Sequence, residues 1–185
     1  MKTKRVFGII AVAVIFTLAC LVVVSAIVPK SYNFNFNNPQ SITILSNNQT
    51  IEKDDDRYNE IMEKFNNGFN VKFIEAFFQG KGFQGVSTIS NTTYLDSSSL
   101  KNDKTILIEF KFGVDQDTNL HGANISLSSN EKTYRSVVIE IVNSENLTKI
   151  NAYLKYNTAD STSHIAYVTY AKHADLFKYL SENFN

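Results

Sequence analysis

The chain has 185 residues, 43% of them hydrophobic, and its 18 basic residues balance 18 acidic ones. That length suits one domain of ordinary size, with or without a short appendage, and excludes most multidomain enzymes. A net charge of zero offers no basic field for nucleic acid, 19% charged residues argue against a disordered chain, and the single Cys excludes an intrachain disulfide framework or a Cys-based zinc site.

The hydrophobicity is unevenly spread. Val6 to Val28 carries no charge and no proline, and its polar members are Thr17 and Ser25, with Cys20 beside them. As a helix it would span roughly 30–35 Å, enough for a bilayer core. Lys2, Lys4 and Arg5 precede it, and Lys30 is the only charge between it and Glu52. The positive-inside bias then keeps the N-terminus cytoplasmic and sends the rest across. The run exceeds the usual signal-peptide core of about 7–15 residues, so a retained single-pass anchor is expected. Cleavage near Ala26, after Val24-Ser25, is the alternative, giving a secreted product. Lipid attachment at Cys20 is a third reading, but Thr17-Leu18-Ala19 makes a poor lipobox. Each reading places residues 30–185 outside the cytoplasm, the expected setting being a cell membrane.

The expected organisation is a cytoplasmic tip and span over 1–29, a juxtamembrane stalk or first edge strand over 30–40, and an α+β domain over 41–185. Tyr32, Phe34 and Phe36 in the stalk suit an interfacial aromatic belt. Removing the three basic residues of the tip leaves 15 basic and 18 acidic residues, a net of −3. That balance points neither to nucleic acid nor to a second attachment to anionic lipid.

Within the domain, Ser41 to Leu45 is β-rich. Asp54-Asp55-Asp56 then caps a helix whose apolar positions are Tyr58, Ile61, Met62 and Phe65, with Phe69 at its weakened far end after Asn66-Asn67-Gly68. Phe73, Ile74, Phe77 and Phe78 predict a second short helix, or a buried strand, stopped at Gly80. From residue 86 the period becomes two. Ile106, Ile108, Phe110 and Phe112 alternate with Leu107, Glu109 and Lys111. Val137, Ile139 and Ile141 alternate in the same way, as do Ile150 to Tyr156 and Ile165 to Thr169, and Ile125 with Leu127 marks a shorter strand. Turn-rich pieces lie at 96–103, 113–124, 128–132 and 157–163. His173, Leu176, Phe177, Leu180 and Phe184 return to helical spacing. The predicted fold is therefore an antiparallel sheet of about six strands with two or three helices on one face, behind a transmembrane helix. The element order is similar to cystatin-like and NTF2-like domains, an analogy that carries no function.

No catalytic, cofactor or metal set emerges. Gly80-Lys-Gly82-Phe-Gln-Gly85 matches G-x-G-x-x-G, but a strand rather than a helix follows it, so no phosphate would meet a helix N-terminus. Asp115, Asp117 and Asn119 are weak cation candidates: they supply the first ligand types of a calcium loop, which then lacks its Gly (Leu120) and its bidentate acid (Ser126). Ser98-x-x-Lys101 and Ser144-x-Asn146 lack the third motif of penicillin-binding serine enzymes. His121, His164 and His173 form no H-E-x-x-H, and each reads as surface or half-buried. Glu75 is isolated, and Glu109 and Glu140 fall in the outward phase of their strands. Sequons at Asn48, Asn91, Asn124 and Asn146 match chance for 21 Asn and 31 Ser plus Thr in 185 residues. The Asn, Lys and Ile richness and the cysteine-free exterior lean towards a bacterium with a single membrane, and the outline is similar to small anchored extracytoplasmic proteins there. The expected function is a membrane-tethered, non-enzymatic module that binds a small ligand or an extracytoplasmic protein. The alternatives are a hydrolase with dispersed residues and an accessory subunit of a membrane complex. No cofactor and no nucleic acid are expected.

Overall fold

The computed structural model describes residues 2–27, 29–31, 39–81, 87–89, 104–117, 133–156 and 164–184. In chain order the elements are α1 (Lys2–Ile27), β1 (Pro29–Ser31), β2 (Ser41–Ile44), β3 (Gln49–Glu52), α2 (Asp56–Asn67), β4 (Asn70–Lys72), α3 (Phe73–Phe78), β5 (Ser87–Ile89), β6 (Thr105–Asp117), β7 (Thr133–Val142), β8 (Thr148–Tyr156), β9 (His164–Ala171) and α4 (Ala174–Asn183). They divide into two compact units, Met1–Ser31 with Asn70–Gln84, and Tyr32–Phe69 with Gly85–Asn185. Residues 70–84 thus group with the N-terminal helix rather than with the rest of 41–185.

The first unit is built on α1, 26 residues long. Its side chains are described over Gly8–Cys20 and at Val23, and all of them are exposed. Among the described residues no helix is long and apolar enough to cross a membrane. By length and hydropathy, the described part of α1 therefore gives the transmembrane expectation no support. After α1, Pro29, Lys30 and Ser31 pair antiparallel with Lys72, Val71 and Asn70, and α3 follows directly. Gly80 ends α3 in the left-handed region, at φ 70°. Its N–H donates to the Phe77 carbonyl at 2.9 Å and that of Lys81 to the Ala76 carbonyl at 2.7 Å, the two bonds of a Schellman stop. Helix, not strand, is the outcome at 73–78.

The second unit is an antiparallel sheet in the order β3-β2-β6-β7-β8-β9-β5, with helices. It has seven strands where about six were expected. β3 is too short to show a period. β6 also runs through Gly113 to Asp117, where the turn-rich composition predicted a loop, because a register shift between Lys111 and Gln116 re-seats the chain on β7. Ile125 and Leu127, expected as a strand, lie outside the described residues.

One face of this sheet forms the core. The register sets Ile42, Ile44, Ile108, Phe110, Val137, Ile139, Ala152 and Leu154 on it, and each is at most 1% exposed. Asp55 caps α2 by accepting from the Arg57 N–H at 2.9 Å, as the aspartate run predicted. That helix turns Tyr58, Ile61 and Phe65 inward, and α4 turns Ala174, Leu176 and Leu180 inward. The Phe65 ring meets Phe110 of β6 at 4.7 Å between centroids. The two helices touch: the Arg57 guanidinium sits 5.1 Å from the centre of the Phe184 ring, and the Lys64 ammonium 5.4 Å from that of Tyr179.

Candidate functional site on the second face of the sheet

Counting by two along the register places a different set on the opposite face. Thr43 lies directly across from Glu109, and Ser41 from Lys111. Ser136 lies across from Lys111 and Val138 from Glu109. Tyr153 follows on β8 across from Val138. This face was expected to meet solvent. Its centre does not: Glu109 is 6% exposed, Val138 2%, Thr43 3% and Leu107 6%. The outward reading of Glu109 is therefore corrected. Periodicity separates the two faces of a strand but does not say which of them is covered.

A buried carboxylate needs partners. Glu109 accepts from the Ser136 hydroxyl at 2.8 Å, and its other oxygen faces the Lys111 ammonium at 3.7 Å. Glu140, half-buried, is held more closely. Its Oε2 accepts from the Asn151 backbone N–H at 3.0 Å and from the Asn151 amide at 2.8 Å, and its Oε1 from the Tyr153 hydroxyl at 3.0 Å. The Tyr153 pKa is raised, first by burial, then by the Glu140 charge and the hydrogen bond to it. The phenol thus stays a proton donor well into the alkaline range. Glu109 and Glu140 are diagonal neighbours, a relation that puts Cα atoms about 7–8 Å apart.

The alternation carries the polar set on towards one end of the face. Lys149 is exposed and Tyr170, across from it on β9, is half-buried, as are Asn151 and Tyr153. Glu140, Lys149, Asn151, Tyr153 and Tyr170 make a partly exposed patch of aromatic and hydrogen-bonding side chains. Both carboxylates already accept hydrogen bonds from structural donors. The patch presents fixed donors, acceptors and ring faces.

The residues singled out from sequence are scattered. Asp115 lies on β6, where the Arg135 guanidinium of β7 binds it at 2.5 Å. Asp117 ends that strand, and Asn119 and His121 lie outside the described residues. Among the described residues no three metal-ligating side chains converge. Ser144 and Asn146 shape the β7–β8 turn: the Ser144 hydroxyl donates to the Asn146 carbonyl at 2.9 Å and accepts from Thr148 at 2.8 Å. Ser98, Lys101, Gly82 and Gly85 lie outside the described residues, while Gly80 serves as a helix stop. Glu75 is half-buried on α3. Of the sequons, Asn48 and Asn146 are exposed in turns, and Asn91 and Asn124 lie outside the described residues. His164 begins β9.

His173 is not on the surface or half-buried, as the sequence reading had it, but 1% exposed. Its ring stacks on Phe65 at 5.4 Å, meets Phe69 edge-on at 4.9 Å, and its Nε2 lies 3.1 Å from the Phe65 carbonyl. Burial pulls its pKa down to about 4, against a smaller opposing effect of that carbonyl. It is a packing histidine. Glu140, Asn151 and Tyr153 were not recognised as a group from sequence. The signal was present: the turn at 143–147 centres a hairpin that sets 140 opposite 151.

No protein-family profile matches the chain, and neither a curated protein nor a solved structure does.

Proposed function

We propose that this chain is a membrane-tethered module whose sheet-and-helix unit works outside the cytoplasm by binding, without catalysis of its own. The observation that carries the tether is the exposure of every described side chain of α1. Ile9, Ile10, Val12, Val14, Ile15, Phe16, Leu18 and Val23 are 52–70% exposed. At 100° per residue they leave one gap of about 100°, between Ile9 and Ile10, and the exposed Ala13 falls within it. A helix apolar all round is stable in water only when other protein covers it, and otherwise in lipid. The uncharged run Val6 to Val28 has the length of a bilayer core, and the basic residues before it favour a cytoplasmic N-terminus. A binding role is supported by the Glu140–Asn151–Tyr153 patch, whose acid is engaged by structural donors. Its chemistry suits a polar small ligand or an extracytoplasmic protein.

Alkaline carbonate washing of membranes from expressing cells tests the tether: the full chain stays in the pellet. Recovery in the wash would refute it. Protease added to spheroplasts removes residues 30–185 in this orientation. Protection of that region alongside an intact cytoplasmic marker would reverse it. The mass of the mature protein separates the anchor from cleavage near Ala26.

A further inference from the structure

The first unit carries a second apolar element besides α1. Helix α3 presents Phe77 and Phe78 outward, 47% and 81% exposed, with ring centroids 6.1 Å apart, while Ala76 is fully buried. Two adjacent exposed phenylalanines on a six-residue helix are costly in water. Their position is not arbitrary. Pairing of Pro29 with Lys72 brings the residue before α3 beside the residue that closely follows α1. β4 runs antiparallel to β1, back towards α1, and α3 continues from it to lie against α1. The exposed Phe pair is thus carried on an element packed against α1, whose described exposed apolar residues run to Val23, near the end that leaves the membrane in the proposed topology. Lys72, exposed, precedes the short helix, where an ammonium group reaches lipid phosphates while its stem lies on apolar surface. The sequence, through its net charge, pointed to no second lipid attachment. The one the structure offers is hydrophobic and local.

We infer that α3 is an interfacial element: it lies in the outer headgroup region of the bilayer that α1 spans, with Phe77 and Phe78 dipped towards the acyl chains. This rests on the tether proposed above. Its consequence is two-point attachment, which holds the residues leaving α1 at a fixed depth instead of on a free stalk. An amphipathic element of this kind buries its apolar side at the boundary of headgroups and chains.

The chain contains no tryptophan, so single Trp variants report depth without labelling. The full chain carrying Phe78→Trp or Leu18→Trp is reconstituted into phosphatidylcholine vesicles with a minor share of phosphatidylglycerol. Emission is read against lipids bearing a spin label near the headgroup or near the chain end. The expected result is a blue-shifted Trp at position 78, quenched more by the shallow label, and a Trp at position 18 quenched more by the deep one. Quenching at 18 with none at 78 overturns the interfacial role of α3 and leaves the tether standing. No quenching at either position overturns both.

Discussion

Gly68 is the position where one methyl group should cost most. Its φ of −60° is ordinary helix, so the glycine is not there for backbone freedom. It is there for space. A Cβ built on it would lie 2.0 Å from His173 Cδ2 and 2.4 Å from Nε2. Ordinary contacts between such atoms are about 3.5–4.0 Å, so the ring would have to retreat by roughly 1.5 Å. It cannot do so freely: Phe65 stacks on it at 14°, Phe69 abuts it at 89°, and Nε2 is tied to the Phe65 carbonyl. The backbone is fixed too, since the Lys172 N–H donates to the Gly68 carbonyl at 2.8 Å. Overpacking costs about 1–3 kcal/mol, and this overlap belongs at the upper end. For a domain of this size that is a fall of roughly 6–12 °C in Tm. The assay is thermal and urea unfolding of the full chain in mild detergent, for Gly68→Ala, His173→Ala and the double variant. Removing the ring makes room for the methyl, so the double variant should be no less stable than His173→Ala alone. A Gly68→Ala protein within about 0.5 kcal/mol of the parent, or strict additivity of the two changes, would refute the packing argument.

Four further outcomes can be checked on the same material. His173 has a folded pKa of about 4 against 6.5 for the free side chain, so the unfolded chain binds the extra proton. The stability it contributes is present above pH 6.5 and is lost as the pH falls towards 4, by up to roughly 3 kcal/mol in total; His173→Phe should flatten the unfolding profile across that window. Asp55, held down to about 2 by its bonds from Arg57, should stay ionised through mild acid, with Asp55→Ala lowering Tm and Asp55→Asn restoring most of it, because Asn also caps. Ultraviolet titration should find Tyr153 deprotonating above ordinary tyrosines, and Glu140→Gln should bring it only part of the way back, since burial is the larger cause. Arg135→Ala should change stability by no more than about 1 kcal/mol, because its pairing with Asp115 is at the surface, with side chains 58% and 44% exposed.

The legible parts of the fold are those with a long enough period. Tyr58, Ile61 and Phe65 announced α2, and the aspartates before them announced its cap. The alternation of Ile106 to Phe112 and of Val137 to Ile141 announced β6 and β7. What stayed hidden was short or non-local. β3 and β4 have four and three residues, too few to show any period. The β5–β9 and β2–β6 pairings join segments about 80 and about 65 residues apart, and nothing in either partner names the other. His173 was hidden for a similar reason. Its burial depends on a gap at Gly68, more than a hundred residues earlier, and that gap read as a helix end.

Glu109 shows how the missing information bears on function. Its strand phase correctly put it on the face away from α2 and α4. The inference from that face to solvent failed, because both faces of β6 and β7 are covered at their centre: Ile108 and Ile139 are fully buried on one, Leu107 and Val138 nearly so on the other. A sheet buried on both faces cannot offer its middle to a partner. The face opens to solvent where the cover ends. Along the polar face, exposure rises from Glu109 and Val138 to half-exposed Glu140, Asn151 and Tyr153, and then to exposed Lys149. The patch at that end is thus open to solvent, as Lys111 is at the other. Glu109, Ser136 and Lys111 keep a buried acid satisfied behind it. Substitutions of Glu109 should act on folding, and, on the proposed binding role, those of Lys149 and Tyr170 should act on binding instead.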